Sequence, residues 1–185
     1  AYQIAELTAE QLVALKSDQF LALSTQQIAS LNQTQIISLK TADVAIIASN
    51  QLRALTVTQV AGLTEPQVQA LTSDSVSLLA SSQISQLTAS QIGALESSDV
   101  RALRTSQIRA LLASQVATFS TQQIVALSDD SIRSLALSQV MEVTVDQISA
   151  LTSSQALSLS SAQIQTLNVS QIVAISTGDL SALGN

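Results

Sequence analysis

The sequence predicts an all-α solenoid, or superhelix, of about 23 short capped helices, one for each eight-residue repeat of the 185-residue chain. Three observations lead to this fold class. An apolar residue recurs at every eighth position from Leu7 to Leu183, a second apolar row runs from Ile4 to Leu180, and a glutamine-rich row directly precedes the second. No insertion or deletion interrupts these rows. Such self-similarity is typical of repeat architectures in which each unit buries its apolar face only against neighbouring units.

The segment Leu87–Leu95 illustrates the helix that each repeat is predicted to form. Thr88 stands at the N-cap position, and the Gln91 side chain, three residues later, can accept a hydrogen bond from the backbone N–H of the cap, as in a capping box. Leu87 before the cap and Ile92 four residues after it are spaced to form a hydrophobic staple. The leucine that ends one helix also precedes the next cap, so the chain can bend once per repeat.

Two other folds are compatible with a short apolar period. One continuous helix is excluded because eight residues turn through about 800°, so the apolar stripe would shift by about 80° per repeat. A β-solenoid is the alternative, since Ser and Thr are abundant. It is disfavoured because Ile92 and Leu95, three residues apart, would face opposite sides of a strand but lie on one face of a helix. Ala, Leu and Gln also favour helices over strands.

The cap row, which runs from Thr8 to Gly184, contains Ser, Thr or Asn at 14 of its 23 positions. Six exceptions are followed at once by Ser or Thr, which predicts that the capping hydroxyl moves by one residue in those repeats. These exceptions are Lys16, Lys40, Ala48, Ala80, Glu96 and Arg104. Two repeats, which start at Leu112-Ala113 and Ala136-Leu137, lack even the displaced hydroxyl. We expect those two helix starts to be weaker or irregular.

Charge placement also favours helices. Eleven of the 13 acidic residues fall at cap or first-turn positions, and all seven basic residues fall late in a repeat or at a junction. The helix dipole favours this distribution, which would have no cause in strands. A helix of about six residues is unstable alone, so stability must come from stacking. We expect three such helices per superhelical turn rather than two or four.

Composition excludes several classes of function. The net charge is −6, and only seven scattered basic residues are present, which disfavours binding to nucleic acid or to an anionic membrane surface. No apolar run approaches the roughly 18 residues that a membrane span needs. The chain starts in mid-repeat without Met. We therefore expect residues 1–185 to form a single solenoid that is a segment of a longer array or a filament subunit.

No residue of the sequence is predicted to serve in a catalytic, cofactor-binding or metal-binding site. The absence of His and Cys removes the commonest general base, the thiol nucleophile and most zinc sites. Asp129-Asp130 is interpreted as first-turn charge rather than a Ca²⁺ site, because EF-hand spacing and glycine-rich calcium repeats are missing. The glutamine row is interpreted as a set of capping-box partners rather than a polar binding track. We therefore predict no cofactor and no enzymatic activity.

The phrase L-T-x-x-Q-I-x-A-L, present at Leu87–Leu95, recurs with substitutions at Leu55–Leu63 and Val143–Leu151. It resembles the octapeptide arrays of long, repetitive bacterial proteins that are secreted or displayed on the cell surface and described as adhesin-like. The resemblance covers the whole chain. It implies an extended spacer, stalk or filament outside the cell and supplies no catalytic residues.

Two hypotheses for function follow. The first is a structural rod, stalk or filament that associates end to end with another chain or with further repeats. The second is a binding module in which Arg101, Arg109 and Arg133 present a groove to a surface protein or glycan. Ice binding by a regular hydroxyl face is a remote third, disfavoured because the hydroxyls are predicted to shift by one place.

Overall fold

The computed structural model describes residues 2–176, 178 and 179. All regular secondary structure that is assigned among these residues is α-helical, in 22 helices of four to six residues, with no strand. The prediction of an all-α repeat fold is confirmed, and the β-solenoid alternative is wrong for the described residues. The chain divides into two compact units, Ala1–Leu95 and Glu96–Asn185.

The first unit contains twelve helices. They are α1 (Tyr2–Ala5), α2 (Ala9–Val13), α3 (Ser17–Leu21), α4 (Thr25–Ala29), α5 (Gln33–Ser38), α6 (Thr41–Ala45), α7 (Ser49–Ala54), α8 (Val57–Ala61), α9 (Glu65–Gln69), α10 (Ser73–Leu78), α11 (Ser81–Ile84) and α12 (Ala89–Gly93).

The described part of the second unit contains ten helices. They are α13 (Ser97–Ala102), α14 (Thr105–Ala110), α15 (Ala113–Val116), α16 (Thr121–Ala126), α17 (Asp129–Ser134), α18 (Leu137–Glu142), α19 (Val145–Ser149), α20 (Ser153–Ser158), α21 (Ser161–Thr166) and α22 (Val169–Ala174).

Within each unit, every helix packs against the helix three positions along the chain. In the first unit α1 packs on α4, α2 on α5 and α3 on α6, and the pattern continues to α9 on α12. In the second unit it runs from α13 on α16 to α19 on α22. Three repeats of eight residues therefore complete one superhelical turn in each unit, as expected from the sequence.

The two apolar rows form the interior of each unit. Ile28, Ile36 and Leu52 of the second row are completely buried in the first unit, as are Ile108 and Val116 in the second unit. The leucines of the junction row are also mostly buried. Burying each such side chain adds about 1.5–3 kcal/mol to the free energy of unfolding. Helices of this length are not stable without such burial.

The prediction that the capping hydroxyl moves by one residue in six repeats is wrong. In all six, the residue of the cap row remains the N-cap without a side-chain capping bond, and the hydroxyl residue after it is the first residue of the helix. Stacking sets the register instead. At Ala48, for example, the backbone N–H donates to Gln51 Oε1 over 3.1 Å, and Gln51 is held by the turn beneath it.

The two repeats without a nearby hydroxyl start in the same register as the others. Leu112 and Ala136 are the N-caps of α15 and α18 and lack a side-chain capping bond. Their backbone N–H groups donate to Gln115 and Gln139 over 2.6 and 2.7 Å. The expectation of irregular starts is therefore wrong, because the glutamine half of the capping box is sufficient to fix the helix start.

The start of α7 distinguishes the two possible positions of the cap. Ala48→Thr is expected to raise the free energy of unfolding by about 0.5–1 kcal/mol, because it supplies the missing capping hydroxyl at the true N-cap. Ser49→Ala, at the exposed position where the sequence predicted the cap, should change stability by less than about 0.5 kcal/mol. Urea denaturation followed by circular dichroism measures both changes in stability. A larger effect at Ser49 than at Ala48 would support the earlier prediction that Ser49 is the N-cap.

Candidate functional site

The glutamine row occupies the third residue of the helices, where its carbonyl oxygen completes the predicted capping box. In α12, Thr88 N–H donates to Gln91 Oε1 over 2.6 Å, and Gln91 N–H donates to Thr88 Oγ1 over 3.2 Å. The same reciprocal pair occurs in α8 between Thr56 and Gln59. The capping-box interpretation of this row is therefore confirmed.

The amide nitrogen of these glutamines makes a second set of hydrogen bonds, which the capping-box interpretation of the sequence did not include. Gln67 Nε2 donates to the backbone carbonyls of Ile36 and Leu39, both over 2.8 Å. Gln155 Nε2 donates likewise to Ile124 and Leu127, over 2.9 and 2.7 Å. In both cases the acceptors lie 31 and 28 residues earlier in the chain.

We call this set of interturn bonds the glutamine ladder. Its described members are Gln35, Gln51, Gln59, Gln67, Gln83, Gln91, Gln139, Gln147, Gln155, Gln163 and Gln171. The carbonyls at the end of a helix lack the N–H four residues later that pairs them in a longer helix. The Ile36 carbonyl accepts the N–H of Leu39, three residues later, as well as the amide of Gln67. Each ladder glutamine therefore caps the start of its own helix with Oε1 and the end of the helix four positions earlier with Nε2.

Burial shows why the ladder requires an amide. Gln67 and Gln155 are 1% and 2% exposed, and among the described residues no buried side-chain nitrogen or oxygen lacks a partner. A buried amide costs little when all its hydrogen-bonding groups are paired. A signal was present in the sequence, because a capping box alone would accept Glu as readily as Gln. Unlike ionised Glu, Gln can also donate hydrogen bonds from its side chain, and Gln occupies 18 of the 23 positions of this row.

One repeat replaces the ladder glutamine by an ion pair. Asp43 is 2% exposed, accepts a hydrogen bond from Ser17 Oγ over 2.9 Å and lies 3.2 Å from Lys40 Nζ. Lys40 Nζ also donates to the Leu15 carbonyl over 2.6 Å. That carbonyl lies 28 residues before Asp43, where a ladder glutamine would donate. Lysine and aspartate together therefore occupy the place of one amide.

The adjacent acidic residues that the sequence analysis interpreted as first-turn charge lie on the outside of α17. Asp129 and Asp130 are both exposed in the first turn of α17, and Asp129 accepts a hydrogen bond from Ser154 Oγ. In the part of the chain that the structure describes, no three acidic residues group around a common point where a metal ion could bind.

In α2, a backbone hydrogen bond and one from the Thr8 side chain lower the pKa of the Glu10 carboxylate.

The structure brings together two of the three arginines predicted to form a groove. Arg109 in α14 and Arg133 in α17 are exposed on helices that pack on each other. Arg101 lies on α13, which packs on α16 and belongs to a different face of the unit. Arg133 borders a shallow groove that is also lined by Leu157 and Ser160.

These helices repeat every eight residues, and each packs on the helix three positions away. The chain is an all-α repeat protein. Two segments, residues 36–73 and 92–129, match the family model of the ALTTAQ repeat, which supports a repeat family. No curated protein matches the chain with significant similarity. None of the described helices has the length and apolar character needed to span a membrane.

Proposed function

We propose that the protein is a non-catalytic structural element, an extended rod, stalk or filament outside the cell, built by stacking octapeptide repeats. The observation that carries this proposal is the glutamine ladder, in which eleven described repeats each use one glutamine side chain to join a turn to the turn before it. A surface devoted to catalysis would instead gather reactive groups in a cleft. The resemblance to secreted and surface-displayed bacterial arrays supports the extracellular, adhesin-like context of the proposal.

The proposed partner is a further turn of the same kind, either in adjacent repeats or in a second copy of the chain. Gln11 and Gln19 are exposed, and their Oε1 atoms accept the capping bonds of α2 and α3 over 2.9 Å. Their Nε2 atoms make no bond to any residue that the structure describes. This face of the turn therefore presents the donors that would fit the carbonyl edge of another turn.

Negative-stain electron microscopy and sedimentation velocity test the rod. The wild-type chain is expected to form elongated particles that lengthen with concentration, and Gln11→Leu/Gln19→Leu should shorten them without loss of helix. Gln26→Leu/Gln122→Leu is the matched control, because both side chains are exposed but lie outside the ladder row. Compact particles at every concentration would contradict the proposal.

The binding-module alternative is favoured by one observation, the proximity of Arg109 and Arg133 on stacked helices beside a groove. It predicts binding to an anionic glycan, for which heparin on a sensor surface is a suitable probe. Arg109→Ala/Arg133→Ala should abolish this binding, whereas Arg53→Ala in the first unit should not. The absence of binding by the wild-type chain would leave the rod as the proposed function.

A further inference from the structure

An exposed apolar cluster lies where two neighbouring helices of the second unit depart from the repeat. Leu112, Leu137 and Met141 are 58%, 45% and 60% exposed. Leu112 is the N-cap of α15, Leu137 and Met141 belong to α18, and α15 packs on α18. We call these three residues the α15/α18 patch.

The repeat gives no internal reason for this patch. Leu112 is the only large apolar residue in the cap row, and Leu137 is the only leucine in the row that follows it. Both replace the polar or small residues that predominate at these positions, and both helix starts lack a capping side chain. The two departures are 25 residues apart in sequence but fall on stacked helices. An exposed apolar cluster of this kind is typical of an interaction surface.

Opposite charges flank the patch residues along the chain. Arg109, three residues before Leu112, and Arg133, four residues before Leu137, lie at the ends of α14 and α17. Glu142 is the last residue of α18, at the opposite end of that helix from Leu137. All three side chains are exposed, and none forms an ion pair with another described residue.

We propose that the α15/α18 patch binds the same patch of a second copy of this chain about a two-fold axis. A two-fold contact places the same surface on both sides, so residue i meets j and j meets i. The basic edge of one copy then faces the acidic edge of the other, with the apolar residues between them. Apolar centres with charged rims are typical of protein interfaces. The patch is small, so the contact is expected to be weak.

This lateral contact goes beyond the proposed end-to-end stacking and uses different residues. The patch would join two rods side by side, whereas Gln11 and Gln19 would join rods end to end. The Gln11→Leu/Gln19→Leu chain lacks the proposed end-to-end contact. Sedimentation equilibrium of this chain up to about 1 mM, within the range of measurable weak affinities, is expected to show a monomer–dimer equilibrium.

The decisive variant is Leu112→Thr/Leu137→Ser, which returns both positions to residues typical of the repeat. Its dimer dissociation constant should rise at least about tenfold, as for loss of central interface contacts. Its melting temperature should also rise, because the threonine introduced at the N-cap of α15 supplies a capping hydroxyl. Loss of dimer together with a more stable monomer cannot be caused by unfolding. The matched control is Ile37→Thr/Val57→Thr, which removes two exposed apolar residues from the stacked helices α5 and α8.

Charge exchange tests the two-fold arrangement. Glu142→Arg should weaken the dimer, and adding Arg109→Glu and Arg133→Glu to it should restore the dimer. A wild-type chain that remains monomeric throughout, or a dimer that is unaffected by the Leu112/Leu137 variant, would overturn the proposal. A dimer abolished only by Gln11→Leu/Gln19→Leu would also overturn it and assign the association to end-to-end stacking.

Discussion

Gln67→Leu is expected to lower the free energy of unfolding by about 2–4 kcal/mol, because it removes the hydrogen-bond partner of the Thr64 N–H and of the Leu39 carbonyl. The Ile36 carbonyl keeps its bond from the Leu39 N–H. The amide of Gln67 serves the carbonyls of Ile36 and Leu39 and the backbone N–H of Thr64. Leucine has a similar volume and is apolar, so cavity formation contributes little. Urea denaturation followed by circular dichroism measures the loss.

Gln11→Leu is the matched control for this prediction. Gln11 accepts the same capping bond from Thr8 but is exposed and makes no interturn bond to the described residues. Its replacement should therefore cost only about 0.5–1 kcal/mol, the lower range of a lost helix cap. Equal losses at the two positions would show that the interturn bonds contribute nothing to stability.

Gln67→Glu keeps the shape of the side chain and changes its ability to donate hydrogen bonds. A buried carboxylate facing carbonyl oxygens should have a raised pKa, because burial and the nearby acceptors disfavour its charged form. Protonated glutamate can donate one hydrogen bond to these carbonyls, where the amide donates two. The variant should therefore be most stable at acidic pH, and its stability relative to wild type should fall as pH rises through the pKa in the folded state. A variant that is least stable in acid would contradict this.

Lys40→Met is the second substitution with a large expected effect, a loss of about 2–3 kcal/mol. Removing one member of a fully buried ion pair costs about 3–5 kcal/mol, and the Lys40 side chain is 36% exposed, so the figure is reduced for solvent screening. The loss arises because Asp43 keeps its buried carboxylate and Leu15 loses the donor to its carbonyl. Chemical denaturation at neutral pH measures it.

Two further variants identify the cause of that loss. Lys40→Met/Asp43→Gln restores the residue typical of the row at position 43, so it should recover most of the stability. Lys16→Met removes an exposed lysine from the same cap row, where the residue three positions later is Gln19 rather than an acid. Its effect should be below about 0.5 kcal/mol. A double variant no more stable than Lys40→Met would show that the ion pair does not replace a ladder glutamine.

The helical fold could be predicted because its evidence is local. The spacing of Ile92 and Leu95 distinguishes a helix from a strand, and Thr88 with Gln91 marks a helix start within four residues. The register at Ala48 could not be predicted from the nearest hydroxyl, Ser49. There the position of the helix start is set by Gln51, which donates to the carbonyl of Phe20 in the turn beneath.

The candidate surfaces required the period of the superhelix as well as that of the repeat. Once three repeats are known to complete a turn, positions 24 residues apart become neighbours. Arg109 and Arg133 then lie on neighbouring helices, whereas Arg101 lies on a different face. Leu112 and Leu137 become one cluster for the same reason, although the sequence shows them only as two separate repeats without a hydroxyl. Which side chains share a surface therefore depends on stacking that no single repeat encodes.

The glutamine ladder also constrains how a gene for such a protein can change. Every ladder bond connects equivalent positions of equivalent repeats, so adding or deleting whole 24-nucleotide coding units would preserve it. The same event would separate features that depend on particular neighbours, such as Lys40 above Leu15 or Leu112 beside Leu137. Unequal recombination can therefore alter the length of the array freely, while each change of one coding unit rearranges which exposed residues meet.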